Sequence, residues 1–138
     1  MGSFNNVNET KRLLQEAGRD DDVKAVLLRI NSPGGEITAS DILYHEVKVL
    51  AAKKPVVAYM DTIGASGGYY IACGATYLMA NDTTMTGSIG VIIQSLNYKE
   101  LLGKVGLDAV VFTSGKFKDM LSPSREMRED ERAYIQGM

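Results

Sequence analysis

Cysteine and histidine are almost missing from this sequence. Its 138 residues hold one of each, Cys73 and His45, and no tryptophan. A lone cysteine excludes an internal disulfide framework and any cysteine-based zinc site. A lone histidine excludes a multi-histidine metal centre. Neither a metal nor another cofactor is expected. Positive charge is not in excess either: 15 Lys and Arg stand against 17 Asp and Glu, a net charge of −2. Phosphate binding needs clustered positive charge, so a nucleic-acid partner is not expected. The opening Met1-Gly2-Ser3-Phe4-Asn5-Asn6 has no apolar run of the secretory kind, and Asn6 stands where a myristoylation signal wants Ser or Thr. Met1-Gly2-Ser3 reads as an expression scar.

What is present is close to the globular average, 45% hydrophobic and 23% charged. The length suits one domain, read as 1–138, with one sizeable core. Charge is unevenly spread: from Pro55 to Tyr98 only Asp61 and Asp82 are charged. The uncharged stretch Thr62 to Asn81 has transmembrane length, but Gly64, Gly67, Gly68, Gly74 and several hydroxyls make it too polar for an isolated span. This middle third reads as buried core plus a site, with room for a subunit interface. Cys73 falls within it and reads as a core residue.

Periodicity predicts helices at Asn5 to Ala17, Ala39 to Ala52, Tyr69 to Ala75, Ser95 to Val105 and Arg125 to Gln136. It predicts strands at Val23 to Ile30, Val56 to Met60, Tyr77 to Ala80 and Ala109 to Thr113. Asn31-Ser32-Pro33-Gly34-Gly35 is a sharp turn, and Ser122-Pro123 suits the start of the last helix. Strands alternating with helices imply right-handed βαβ units and an α/β fold.

Gly64-Ala65-Ser66-Gly67-Gly68 lies between a predicted strand and a predicted helix and matches G-x-S-x-G. That pattern lifts a serine onto a tight strand-to-helix turn, with small neighbours admitting a substrate carbonyl. A glycine-rich packing turn is the plainer alternative. The α/β-hydrolase order requires a histidine after the serine, yet His45 precedes it, off the apolar face of its helix. His45 reads as an ordinary surface residue. A serine without histidine can instead be activated by a desolvated lysine, which gives up its charge when buried and then accepts the serine proton. Lys116 and Lys118 follow the last predicted strand, and strand spacing points both the same way. The oxyanion needs backbone donors, which an amide of Pro33-Gly34-Gly35 and that of Ser66 would supply.

Four segments in this order closely resemble the signal peptide peptidase A family: Asn31-Ser32-Pro33-Gly34-Gly35, Ala65-Ser66-Gly67-Gly68-Tyr69-Tyr70, Thr86-Gly87-Ser88-Ile89-Gly90-Val91 and Ser114-Gly115-Lys116-Phe117-Lys118-Asp119. Ser122-Pro123-Ser124-Arg125-Glu126-Met127 extends the likeness. The resemblance implies a ClpP/crotonase-like spiral of βαβ units and a Ser-Lys dyad. Ser66 would be the nucleophile, Lys118 the general base, and Ser88 the residue that orients the lysine. The Gly35 and Ser66 amides would hold the oxyanion. It implies peptide substrates (leftover signal peptides and short unfolded apolar segments) and a homo-oligomeric, membrane-associated parent in which serine and lysine can come from neighbouring subunits. Family members usually begin with a membrane anchor and continue beyond the equivalent of Met138, so a soluble core fragment is expected here. Two other readings of the same fold are a crotonase-like acyl-CoA enzyme and an inactive scaffold.

Overall fold

The structure is a computed structural model that describes residues 7–137. The chain divides into two compact units, one up to Gly90 and one from Val91. The first unit runs α1 (Val7–Arg19), β1 (Val26–Ser32), α2 (Ile37–Ala51), β2 (Val56–Ala65), α3 (Gly67–Ala72), β3 (Tyr77–Ala80) and β4 (Met85–Gly87). The second contains α4 (Lys99–Lys104) and α5 (Glu129–Gln136). The expected α/β class is the one observed.

All four strands are parallel, and β2 is central. It pairs with β1 along its length, from Val26↔Val56 to Ser32↔Gly64, with an irregularity between Ile30 and Ser32. On its other edge β2 pairs first with β3, up to Met60↔Ala80, and then with β4, from Ile63↔Met85. Strand alternation decides which side chains turn inward. Val56, Ala58 and Met60 are buried with Ile30 and Ala72, while Leu14, Val47 and Leu50 join α1 and α2 to that core. Leu27 and Tyr77 flank Val57 in one row of the opposite face and are exposed.

Several sequence-based boundaries shift for identifiable reasons. Asn5 and Asn6 of the first predicted helix lie outside the described residues. That helix runs past Gly18, which lies against Leu50 of α2, to Arg19. Helix α2 starts early because the Glu36 carboxylate accepts the Thr38 and Ala39 amides, at 2.9 and 2.6 Å. These bonds hold the Glu36 carboxyl below its usual range. Strand β2 outruns the prediction by five residues because its bulge at 61–63 lets it take a second partner, β4. Helix α4 starts at Lys99, where Asn97 Oδ1 accepts the amide at 2.9 Å. Helix α5 starts at Glu129 and not at Arg125, because the backbone of Arg128 is extended and its amide donates to the Glu131 carboxylate at 2.9 Å.

The predicted strand Ala109 to Thr113 does not form. Its residues are irregular and exposed, since among the described residues no neighbouring strand supplies a ladder. Burial of the uncharged middle third is also only partial. Every residue of β3 is exposed, as are Ile89, Val91, Ile92 and Ile93. Cys73 is exposed rather than in the core, because Ala72 takes the inward face at the end of α3.

The second unit is organised by charge. Glu131 is wholly enclosed, with 0% of its surface exposed. It accepts bonds from the Arg125 and Arg128 guanidiniums and from the Arg128 amide. Arg125 also donates to Asp119 at 2.7 Å. Hydrogen bonding to arginine holds both carboxyls below their usual range. Their contribution to stability is complete above the ordinary carboxylate range and is lost as pH falls through and below it. The amide shifts of Tyr98 and Arg132 should therefore report unfolding of this unit below about pH 4. Glu131→Gln should make that transition shallower while weakening the unit at neutral pH. In the first unit, Leu50→Ala should cost about 2–5 kcal/mol in urea denaturation, because Leu50 fills the contact between α1 and α2.

Candidate active site

Ser66 sits between β2 and α3 with φ 50° and ψ −121°. A non-glycine residue in this region is strained, and such strain persists only where surrounding contacts over-determine it. Three contacts do so here. The Ser66 amide donates to Gly87 O at 2.8 Å, extending the β2–β4 ladder. The Ser66 carbonyl accepts the Tyr70 amide at 2.9 Å, closing the first turn of α3. Behind it, the turn after β1 presses against the same backbone.

That turn is held by Ser32, whose Oγ accepts the Gly34 amide at 3.2 Å. Gly34 has φ +106°, and a Cβ there would lie 2.8 Å from both Gly67 N and Ser66 Cβ. Gly67 is equally constrained, since a Cβ on it would lie 2.2 Å from Ser40 Oγ and 3.4 Å from Gly35 N. Ser40 is buried, and its hydroxyl donates to Glu36 O at 2.9 Å. Glycine at 34 and 67 is thus what lets the two turns touch.

The touching turns bring Gly35, Ser66 and Gly67 to one place. The expected pair of oxyanion donors was Gly35 and Ser66. The Ser66 amide already donates to Gly87 O. Gly67 follows it at the first position of α3, where the amide has no intrahelical acceptor. Among the described residues, neither Gly35 N–H nor Gly67 N–H finds an acceptor. The signal for Gly67 was present in the sequence, because in G-x-S-x-G sites the residue after the serine supplies this donor.

Ser88 adjoins the site through Gly87, the residue bonded to Ser66, and has φ 52°. Tyr70 flanks it on α3, donating to Asp41 Oδ1 at 2.8 Å and stacking on Tyr44 at 4.6 Å. Hydrogen bonding to that carboxylate pushes the Tyr70 phenol above its usual range. His45 is exposed, 3.5 Å from Asp41, as a surface residue should be.

Lys116 and Lys118 belong to the second unit. They lie in a run of turns, Lys118 N donating to Gly115 O at 3.2 Å and Met120 N to Phe117 O at 3.2 Å. Strand spacing does not apply, and the two lysines differ. Lys116 Nζ is paired with Asp130 at 2.8 Å and lies over the Phe117 ring. Lys118 is exposed, and among the described residues no carboxylate pairs with it.

Comparison with known proteins places the chain in a family. The profile described as Peptidase family S49 matches residues 48–138. The chain belongs to peptidase family S49. Among curated proteins, one of Methanocaldococcus jannaschii provisionally named a protease is 44% identical over 91% of this chain and 40% of its own length. One of Enterococcus faecium provisionally named signal peptide peptidase SppA is 43% identical over 89% of this chain and 36% of its own. The chloroplastic serine protease SPPA of Arabidopsis thaliana is 40% identical over 81% of this chain and 16% of its own. The chain therefore spans two fifths or less of the length of these S49 relatives. Among solved structures, an enoyl-CoA hydratase/isomerase family member matches 73% of this chain and 42% of its own, at 20% identity and a TM-score of 0.48.

Gly34→Ala should force the turn after β1 away from Ser66 and Gly67. Labelling of Ser66 by a serine-directed fluorophosphonate should slow about a hundredfold, the scale set by misplacing a reacting group by roughly 1 Å.

Proposed function

We propose that this chain is the catalytic core of a serine endopeptidase working through a Ser-Lys dyad, with Ser66 as nucleophile and Lys118 as general base. The observation that carries the reading is the strained Ser66 beside two open amides, Gly35 and Gly67, in a chain of family S49. Ser66 Oγ attacks a peptide carbonyl while Lys118, as the neutral amine, takes its proton. The developing oxyanion receives the Gly35 and Gly67 N–H groups. Collapse of the tetrahedral intermediate expels the amine, which takes a proton from Lys118. Water then attacks the acyl-enzyme, again with Lys118 as base. Ser88 accepts a hydrogen bond from the lysine and orients it.

The choice of Lys118 over Lys116 has a physical basis. Lys116 Nζ is committed to Asp130 and lies over the Phe117 ring, whereas among the described residues no carboxylate holds Lys118. General-base work by a lysine calls for an amine shielded from water, so Lys118 must be covered in the working enzyme. Substrate and a neighbouring subunit of a homo-oligomer are the covers we propose, the latter placing serine and lysine on different copies. Exposed apolar residues after Ser88 (Ile89, Val91, Ile92, Ile93) favour apolar peptide substrates, signal-peptide remnants among them. Such substrates would bring the full-length protein to the membrane. Among the described residues no helix is long and apolar enough to cross it.

Hydrolysis of an apolar signal-like peptide tests this. Ser66→Ala should lower kcat about 10⁶-fold, and Lys118→Ala about 10²–10⁴-fold. Mixing the two inactive variants should restore part of the activity, because a shared dyad pairs an intact Ser66 with an intact Lys118. Turnover that survives Ser66→Ala would overturn the reading.

A further inference from the structure

The segment that carries Lys118 has no strand or helix of its own to define its shape. It is a succession of turns from Ser114 to Leu121, with Leu121 at φ 65°. Turns alone leave such a segment loose, since each closes only one weak bond. Here the backbone on either side of Lys118 is tied from outside. Arg128 Nη2 donates to the Lys116 carbonyl at 2.6 Å. Arg125 Nη2 donates to the Asp119 carbonyl at 3.1 Å, while its Nε holds the Asp119 carboxylate at 2.7 Å. Two guanidiniums thus bracket the lysine, one before it and one after it.

Both guanidiniums converge on a single carboxylate. Arg125 Nη1 lies 2.9 Å from Glu131 Oε2, and its Nη2 bonds Oε1. Arg128 Nη2 lies 2.6 Å from Glu131 Oε1. The remaining capacity of Glu131 Oε2 is taken by the Arg128 amide at 2.9 Å, which fixes the carboxylate to the start of α5. Glu131 is fully enclosed and sits in the first turn of that helix. Planar guanidiniums suit this use, because each can hold a carboxylate with one edge and a carbonyl with another. An ammonium, a point donor on a flexible stem, cannot.

We infer that Glu131, Arg125 and Arg128 are positioning residues for the general base: they set where the Lys118 backbone lies, without touching substrate. This rests on Lys118 being the base, as proposed above. The consequence is specific. Loosening the clamp should spare substrate binding and slow the proton transfer, because only the latter depends on where the amine sits.

The test uses Glu131→Gln and Arg125→Lys, with kcat and KM for the signal-like peptide and hydrogen exchange followed by mass spectrometry. Arg125→Lys keeps the charge and the partner of Glu131, so it remains informative if Glu131→Gln fails to fold. Expected in each folded variant are a kcat at least about tenfold lower with KM unchanged within about twofold. Exchange at the Lys118 and Met120 amides should be at least about tenfold faster. The Thr76 amide, bonded to Val56 O at 2.9 Å in the first unit, should keep its protection and serve as the internal control. Unchanged kcat in a folded variant, or unchanged exchange at Lys118, would overturn the inference while leaving the Ser-Lys reading intact. Hydrolysis that survives Lys118→Ala undiminished would remove the reading itself, and the inference with it.

Discussion

Strand β2 carries the first unit because it is hydrogen-bonded on both edges and changes partner halfway. Along Val57 to Met60 it pairs with β3, and from Ile63 to Ala65 with β4. The bulge between these stretches turns the last residues of β2 toward the β1 turn. Ser66 inherits that direction. Its amide is then taken by Gly87 and its carbonyl by Tyr70, so its left-handed backbone is held from both sides. Remove the partner change and nothing keeps the serine in a conformation that a free chain would avoid.

The same constraint explains the glycines. Two turns approach until Gly34 and Gly67 meet with no space for a side chain. The approach places the Gly35 and Gly67 amides, unpaired among the described residues, close together beside Ser66, and unpaired donors in a fixed position are what an oxyanion site needs. Strain, close backbone approach and open donors are three results of one packing decision. The buried Ser40 hydroxyl, turned back onto Glu36 O, fills the gap on the helix side.

The second unit solves a different problem with different means. It has little regular structure: α4 has six residues and α5 eight. Apolar burial is correspondingly slight, with Val110, Val111 and Phe112 all exposed. Its shape is set by charge-assisted hydrogen bonds around Glu131, which are directional where apolar packing is not. Such a network orders a loop without a sheet to rest on.

Local chemistry alone made much of this legible. Alternating strands and helices, the turn after β1, Ser66 on a strand-to-helix turn and the surface placement of His45 follow from periodicity, glycine placement and chain order. The motifs likewise marked both lysines. Four things were decided only by tertiary contact. The apolar run at 109–113 formed no strand because a strand needs a neighbour. Cys73 faced outward because Ala72 took the core position beside it. The Ser66 amide turned to Gly87 O, while the amide of Gly67 beside it found no acceptor among the described residues. Lys116 and Lys118 separated because Asp130 of α5 reaches only one of them. In each case the residue type was readable in the chain, but its role depended on which partner arrived first at its polar group or its face, and that is a property of the folded chain.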